Sequence, residues 1–118
     1  MTALLRFVDV HWRVMTALLF IVVTVLSLLP KPVPPPAPGG DKLYHLISYA
    51  ALMFPAAYVR PPNWIMYVVF FALWGGVIEV LQPFVNRYGD WADFIANGVG
   101  VAAGLLLAAA ARRWFAST

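Results

Sequence analysis

The chain contains no cysteine, and only 11% of its 118 residues carry a charge. The lack of cysteine excludes disulfide bonds and thiolate metal sites, so a metal would need histidine, carboxylate or amide ligands. The scarcity of charge and a hydrophobic fraction of 63% are typical of membrane proteins and not of soluble domains. A chain of this length cannot bury so much apolar surface in its own core, so we expect lipid to cover the remainder.

The net charge of +3 does not indicate a nucleic-acid partner. The eight lysine and arginine residues are scattered among apolar segments and form no continuous basic stripe. We therefore expect no binding to nucleic acid.

Apolar runs bounded by proline, glycine and charged residues predict an all-α membrane protein. A single domain over residues 1–118 would form a bundle of four transmembrane helices, at about residues 12–29, 41–59, 64–82 and 91–111. The Pro-rich segment 30–40 is predicted to be an extended outer loop. The first run resembles a signal peptide, but no small-residue cleavage pattern follows it, so we expect a retained membrane anchor.

The basic residues beside the helix ends predict the orientation of the bundle. Five arginines fall on the side of the two termini, and three basic residues fall on the other side. Because cytoplasmic connections carry the excess of lysine and arginine, both termini are predicted to be cytoplasmic. The Pro-rich loop and the connection 83–91 would then face outward.

Nine ionisable and amide side chains gather at the outer ends of helices two, three and four. The set consists of Asp41, Lys42, His45, Glu79, Gln82, Arg87, Asp90, Asp93 and Asn97. Residues three or four apart share a helix face, so Asp93 and Asn97 lie in line with Gly100 and Gly104. Small residues allow close helix packing in lipid, which predicts that this face points into the bundle. The same two glycines could also support oligomerisation.

Several of these residues have a structural alternative. Asp90 and Asp93 could only cap the fourth helix and complement its positive end. Lys42 and Arg87 could contact lipid headgroups. His45 and Glu79 lie about one turn inside the membrane, where a polar group needs a protein partner or a wet cleft.

Three blocks of the sequence carry a family resemblance. The blocks are Asp41-Lys42-Leu43-Tyr44-His45 with Tyr49, then 76–84, then Arg87 with 90–100. Their order and spacing resemble the VanZ-like family of small bacterial membrane proteins. The family's motif positions fall on Lys42, His45, Tyr49, Glu79, Gln82, Arg87, Asp90, Asp93 and Asn97.

The resemblance implies a multi-pass protein of the bacterial inner (cytoplasmic) membrane with a role in the cell envelope. The family is named for a protein linked to resistance to the glycopeptide antibiotic teicoplanin, and it has no settled biochemical activity. The resemblance therefore predicts a location more directly than a mechanism.

The first functional hypothesis is an outward cleft that binds an anionic envelope lipid or a polyprenyl-linked headgroup. Lys42 and Arg87 would bind anionic oxygens, and hydrogen bonds to hydroxyl groups would come from Tyr49, Gln82 and Asn97. The ligand-binding residues would then be the nine motif positions.

The second hypothesis is a membrane-embedded enzyme acting on such a lipid. Glu79 or Asp93 would be the general base and His45 the acid, or the three would position a divalent cation. The sequence has no recognised catalytic or metal motif, so no metal site is predicted and the catalytic residues and cofactors stay open. A structural or assembly role is a third alternative. Ion transport is disfavoured because the inner halves of helices two to four lack acidic residues and histidine.

Overall fold

A computed structural model describes residues 2–29, 40–85 and 91–116 of the chain. The described residues form four α-helices: α1 (Ala3–Leu28), α2 (Gly40–Val59), α3 (Trp64–Leu81) and α4 (Trp91–Ala116). A short 3₁₀ helix at Gln82–Val85 follows α3, because Pro83 has no N–H with which to continue the α-helix. The predicted all-α class is confirmed. The Pro-rich loop lies outside the described residues.

Within the part of the chain that the structure describes, three segments are long and apolar enough to cross a membrane. They are Ala3–Leu28, Trp64–Phe84 and Trp91–Phe115. These candidate spans indicate a multi-pass association with the lipid bilayer. The segment predicted as the second span forms α2, which is not among the three.

Helix α2 lies at the centre of the bundle and packs mainly against α4 and α1. Its residues Tyr49, Leu52, Met53 and Pro55 are almost completely buried. Because α2 faces protein on several sides, its sequence can carry histidine, tyrosine and proline where the other helices carry lipid-facing aliphatic residues.

Helix α1 begins at Ala3 and not at residue 12, so the predicted start is wrong. The Thr2 hydroxyl caps the helix and accepts a hydrogen bond from the Leu5 amide at 3.2 Å. Leu5, Val8 and Trp12 then form a buried stripe at helical spacing. Non-helical angles at His11 (φ −112°, ψ 17°) mark a kink next to the predicted boundary.

Helices α2 and α4 run parallel and touch through two glycines. A Cβ atom at Gly100 would lie 2.5 Å from the Leu46 carbonyl oxygen, and one at Gly104 would lie 2.7 Å from that of Ala50. The prediction that this face of α4 points into the bundle is confirmed. The same two glycines were also considered as an oligomer contact, and in this structure α2 packs against both of them.

Helices α1 and α3 also run parallel, and they pack through aromatic rings. The Trp12 and Tyr67 rings meet edge to face at 5.7 Å, and the Phe20 ring lies 5.1 Å from that of Trp74. The Trp74 indole N–H donates a hydrogen bond to the Thr24 hydroxyl at 3.0 Å. These contacts fix α1 beside α3 along most of its length.

The end of the bundle near the chain termini is closed by Arg112. Its guanidinium donates hydrogen bonds to the carbonyl oxygens of Ala57 and Tyr58, which end α2 and have no partners within the helix. Arg60 follows in a left-handed conformation (φ 56°), and its N–H bonds to the Ala56 carbonyl oxygen at 2.8 Å. Arg112 therefore caps the end of α2, in addition to being one of the five arginines used to predict the orientation.

We expect the Gly100→Ala substitution to destabilise the fold by about 1–3 kcal/mol, because the new methyl group would force α2 and α4 apart. The matched control is Gly98→Ala on the same helix, where an added Cβ meets no atom within 4 Å. That change should be neutral or stabilising by about 0.5–1 kcal/mol, since alanine favours helix. Unfolding in detergent micelles measures both, and equal losses would contradict the close contact.

We expect the Arg112→Ala substitution to lower the free energy of unfolding by about 1.5–3 kcal/mol, because the carbonyl groups of Ala57 and Tyr58 would lose their charged hydrogen-bond donor. Arg113→Ala is the control, since Arg113 is exposed and the variant loses the same charge at the same position along the bundle. The control should change stability by less than about 0.5 kcal/mol. If both variants unfold alike, Arg112 acts through its charge alone.

Candidate functional site

The candidate site lies at the polar end of the bundle, where α1 and α3 end and α2 and α4 begin. Helix α2 contributes His45, α3 contributes Glu79, and α4 contributes Asp93 and Asn97. We call these four residues the polar cluster. The glycine contact between α2 and α4 lies directly below it and fixes the register of the two helices.

His45 is held between two residues of α4. Its Nδ1 atom lies 2.8 Å from Asn97 Oδ1, and its Nε2 atom lies 3.6 Å from Asp93 Oδ2. Since the amide oxygen only accepts, Nδ1 carries the proton and its N–H donates a hydrogen bond to Asn97 Oδ1. The Nε2 atom is thereby directed toward Asp93. All three side chains are buried.

Glu79 completes the cluster from α3. One donor atom each from His45, Glu79 and Asp93 lies within 4.8 Å of the other two. Glu79 is only half-buried, whereas the other two are buried. The cluster can therefore be reached from the side of Glu79.

Gly75 makes room for Asn97 inside the bundle. A Cβ atom at Gly75 would lie 3.0 Å from Asn97 Nδ2. Glu79 follows Gly75 by one helical turn and projects from the same face of α3. The sequence alone does not connect Gly75 with the site, because nothing in the local spacing shows that Asn97 lies opposite.

Three other polar atoms at this end are buried without a hydrogen-bond partner among the described residues. They are Tyr49 Oη, Gln82 Oε1 and Asn97 Nδ2. Gln82 uses its amide nitrogen to donate to the Ser27 carbonyl oxygen at 3.1 Å, which ties α3 to the end of α1. Buried polar groups are usually satisfied, so these atoms are available for hydrogen bonds to a ligand or water.

A cleft of about 650 Å³ leads sideways from Glu79 between α3 and α4. We call it the lateral cleft, and it is lined by Gly76, Val77, Glu79, Val80, Leu81, Pro83, Trp91 and Phe94. Glu79 is the one ionisable residue among these. Val80 and Trp91 are strongly exposed, so the cleft opens on the outer surface of the bundle.

The remaining predicted site residues divide into two groups. Tyr49 and Gln82 are buried beside the polar cluster, whereas Lys42 is exposed at the start of α2. Arg87 and Asp90 lie outside the described residues. The sequence reasoning missed the lateral cleft, whose walls come from two helices and the 3₁₀ turn.

The fold and its candidate spans define a class, a helical membrane protein with several spans. Comparisons with protein-family models, with curated proteins and with solved structures give no match.

Proposed function

We propose that the chain is a VanZ-like protein of the bacterial cytoplasmic membrane that binds the headgroup of an anionic envelope lipid, such as a polyprenyl-linked phosphate. In this proposal α2 crosses the membrane as a fourth span, both termini are cytoplasmic, and the polar end faces outward. The observation that carries the proposal is that a buried polar cluster and an apolar lateral cleft meet at Glu79. The link to teicoplanin resistance rests on the sequence resemblance alone.

The lateral cleft is suited to a hydrocarbon tail. Its volume falls within the range of about 300–1,000 Å³ found for ligand pockets, and its walls are apolar except at Glu79. Because it opens on the outer surface of the bundle, a lipid could enter from its own leaflet without leaving the membrane. The headgroup would then lie beside the polar cluster.

The polar end also offers groups that recognise a phosphate or a sugar. Tyr49, Gln82 and Asn97 have buried polar atoms with no partner among the described residues, and these can bond to hydroxyl or phosphate oxygens. The parallel helices α2 and α4 both begin at this end, and helix N-termini favour anions. Lys42 and Arg87 remain candidates for ionic contact with phosphate oxygens.

A second candidate function, an enzyme acting on the same lipid, is favoured by the setting of His45. Asn97 orients the imidazole, and Asp93 lies 3.6 Å from its other nitrogen. Such an arrangement suits proton transfer to or from a reacting oxygen. A structural or assembly role is the outcome if neither binding nor turnover is found.

We expect a Val80→Trp variant to bind a polyprenyl phosphate about tenfold more weakly or worse, equivalent to a loss of at least about 1.4 kcal/mol, because the indole would fill the lateral cleft. The control is Val69→Trp, an exposed valine of the same helix outside the cleft. Purified protein in nanodiscs, analysed by native mass spectrometry, gives the bound fraction. Equal binding by both variants would show that the tail does not occupy this cleft.

The same samples separate binding from catalysis. His45→Ala and Glu79→Ala are assayed for retained lipid and for chemical conversion of it. Turnover by the unsubstituted protein that is lost in His45→Ala with binding retained would favour the enzyme. Binding and conversion unaffected by either change would leave the structural role.

The proposed orientation predicts which end reacts from outside. The chain has no cysteine, so Phe84→Cys and Leu4→Cys each introduce a single thiol at a strongly exposed position. In intact spheroplasts, a membrane-impermeant maleimide should label Phe84→Cys, and should label Leu4→Cys only after permeabilisation. The reverse pattern would place the polar end in the cytoplasm.

A further inference from the structure

We propose that His45, Glu79 and Asp93 bind a divalent transition-metal cation of the Zn²⁺ or Mn²⁺ type. The cation site goes beyond lipid binding and stands on the geometry of the polar cluster. Its further role, contact with a phosphate oxygen of the headgroup, rests on the proposed function.

The spacing of the donor atoms suits a metal ion. One nitrogen and two carboxylate oxygens from three different helices lie within 4.8 Å of one another. The 3.6 Å between His45 Nε2 and Asp93 Oδ2 is long for a hydrogen bond. It is close to the separation of about 3.4 Å between two ligands that each lie about 2.1 Å from one tetrahedral ion.

The tautomer of His45 is already the one that a metal requires. The Nδ1–H group donates a hydrogen bond to Asn97 Oδ1 at 2.8 Å, so that Nε2 carries the lone pair that can coordinate a metal. Metal-binding histidines almost always donate their second N–H to an oxygen in this way, which fixes the ring and raises its basicity. Asn97 is itself completely buried and packs against Gly75, so its position is fixed.

The charges of the cluster match a dication. Two carboxylates and one imidazole can together supply a charge of −2 to a bound divalent ion, which would neutralise it where burial makes charge costly. A dication held by these ligands would attract a phosphate oxygen. One imidazole with two carboxylates favours a transition metal over Ca²⁺, which takes six to eight oxygen ligands.

The hydroxyl of Tyr49 independently indicates a ligand at this position. Only 1% of the surface of Tyr49 is exposed, and its hydroxyl has no hydrogen-bond partner among the described residues. It lies one helical turn below His45 on the same face of α2. A water or phosphate oxygen on the cation would supply the missing partner. Three protein ligands leave such a position open, as in catalytic zinc sites.

From the sequence, a cation at His45, Glu79 and Asp93 was one alternative within the enzyme hypothesis and no metal site was predicted, because these donors form no recognised short motif. Each of the three donors comes from a different helix, so they form no pair at helical spacing such as the sequence could show. Only the packing of α3 against α4 and of α4 against α2 brings them together.

The test is a titration of the purified full-length chain, in detergent and without added lipid, with Zn²⁺ and with Mn²⁺ after removal of metal by a chelator. Calorimetry and elemental analysis should show one ion per chain, with Ca²⁺ bound about tenfold more weakly or worse. Asp93→Asn, nearly isosteric, should abolish binding. Asn97→Ala removes no ligand and should weaken binding by about 10–100-fold.

The matched control is His11→Ala, which removes the other histidine of the chain, exposed on α1. It should bind the ions as the unsubstituted protein does. Equal binding by His11→Ala and His45→Ala, or none by the unsubstituted chain, would overturn the site. Circular dichroism confirms that each variant is folded.

The two proposals fail separately. Zn²⁺ binding together with lipid binding that is insensitive to EDTA would keep the cation site and overturn its role toward the phosphate. Lipid binding without any metal binding would overturn the cation site and leave the headgroup proposal intact. Metal binding without lipid binding would keep the cation site and overturn the headgroup proposal.

Discussion

The close contact between α2 and α4 determines most of what the rest of the structure can do. Carbonyl oxygens of α2 lie where side chains at Gly100 and Gly104 would otherwise be. This interlocking fixes two parallel helices in one register. At one end it sets His45 opposite Asn97, and at the other it sets Arg112 opposite the last carbonyl groups of α2. A slip of one turn, about 5.4 Å, would undo both pairs at once.

The sequence predicted the helical class and much of the polar end for identifiable reasons. Proline and charged residues mark the ends of α2 and α3 and the start of α4 closely. The helical spacing of Asp93, Asn97 and Gly100 placed the carboxylate of Asp93 on the buried face of α4. The start of α1 was not predictable in the same way, since Arg6 and Asp9 interrupt its apolar run although the buried stripe lies on the other face. The lateral cleft and the space beside Gly75 depend on which helix lies opposite, and local spacing does not contain that information.

The two ends of the bundle differ in chemistry because the helix termini differ. At the polar end, carboxylate and amide side chains lie beside the starts of α2 and α4, and Gln82 reaches across to the end of α1. At the opposite end, Arg112 and the left-handed Arg60 satisfy the carbonyl groups that end α2. Between them lies an apolar middle made by aromatic contacts of α1 with α3 and by the glycine contact of α2 with α4. The acidic and histidine side chains of the candidate site therefore all lie at one end of the bundle.

The central position of α2 has a consequence for biogenesis. This helix is not among the three candidate spans, and α4, the helix that contacts it most extensively, is synthesised after it. The face of α2 that carries His45 therefore gains its packing partner only once α4 has been made. On this order of synthesis, α2 reaches its final packing together with α4.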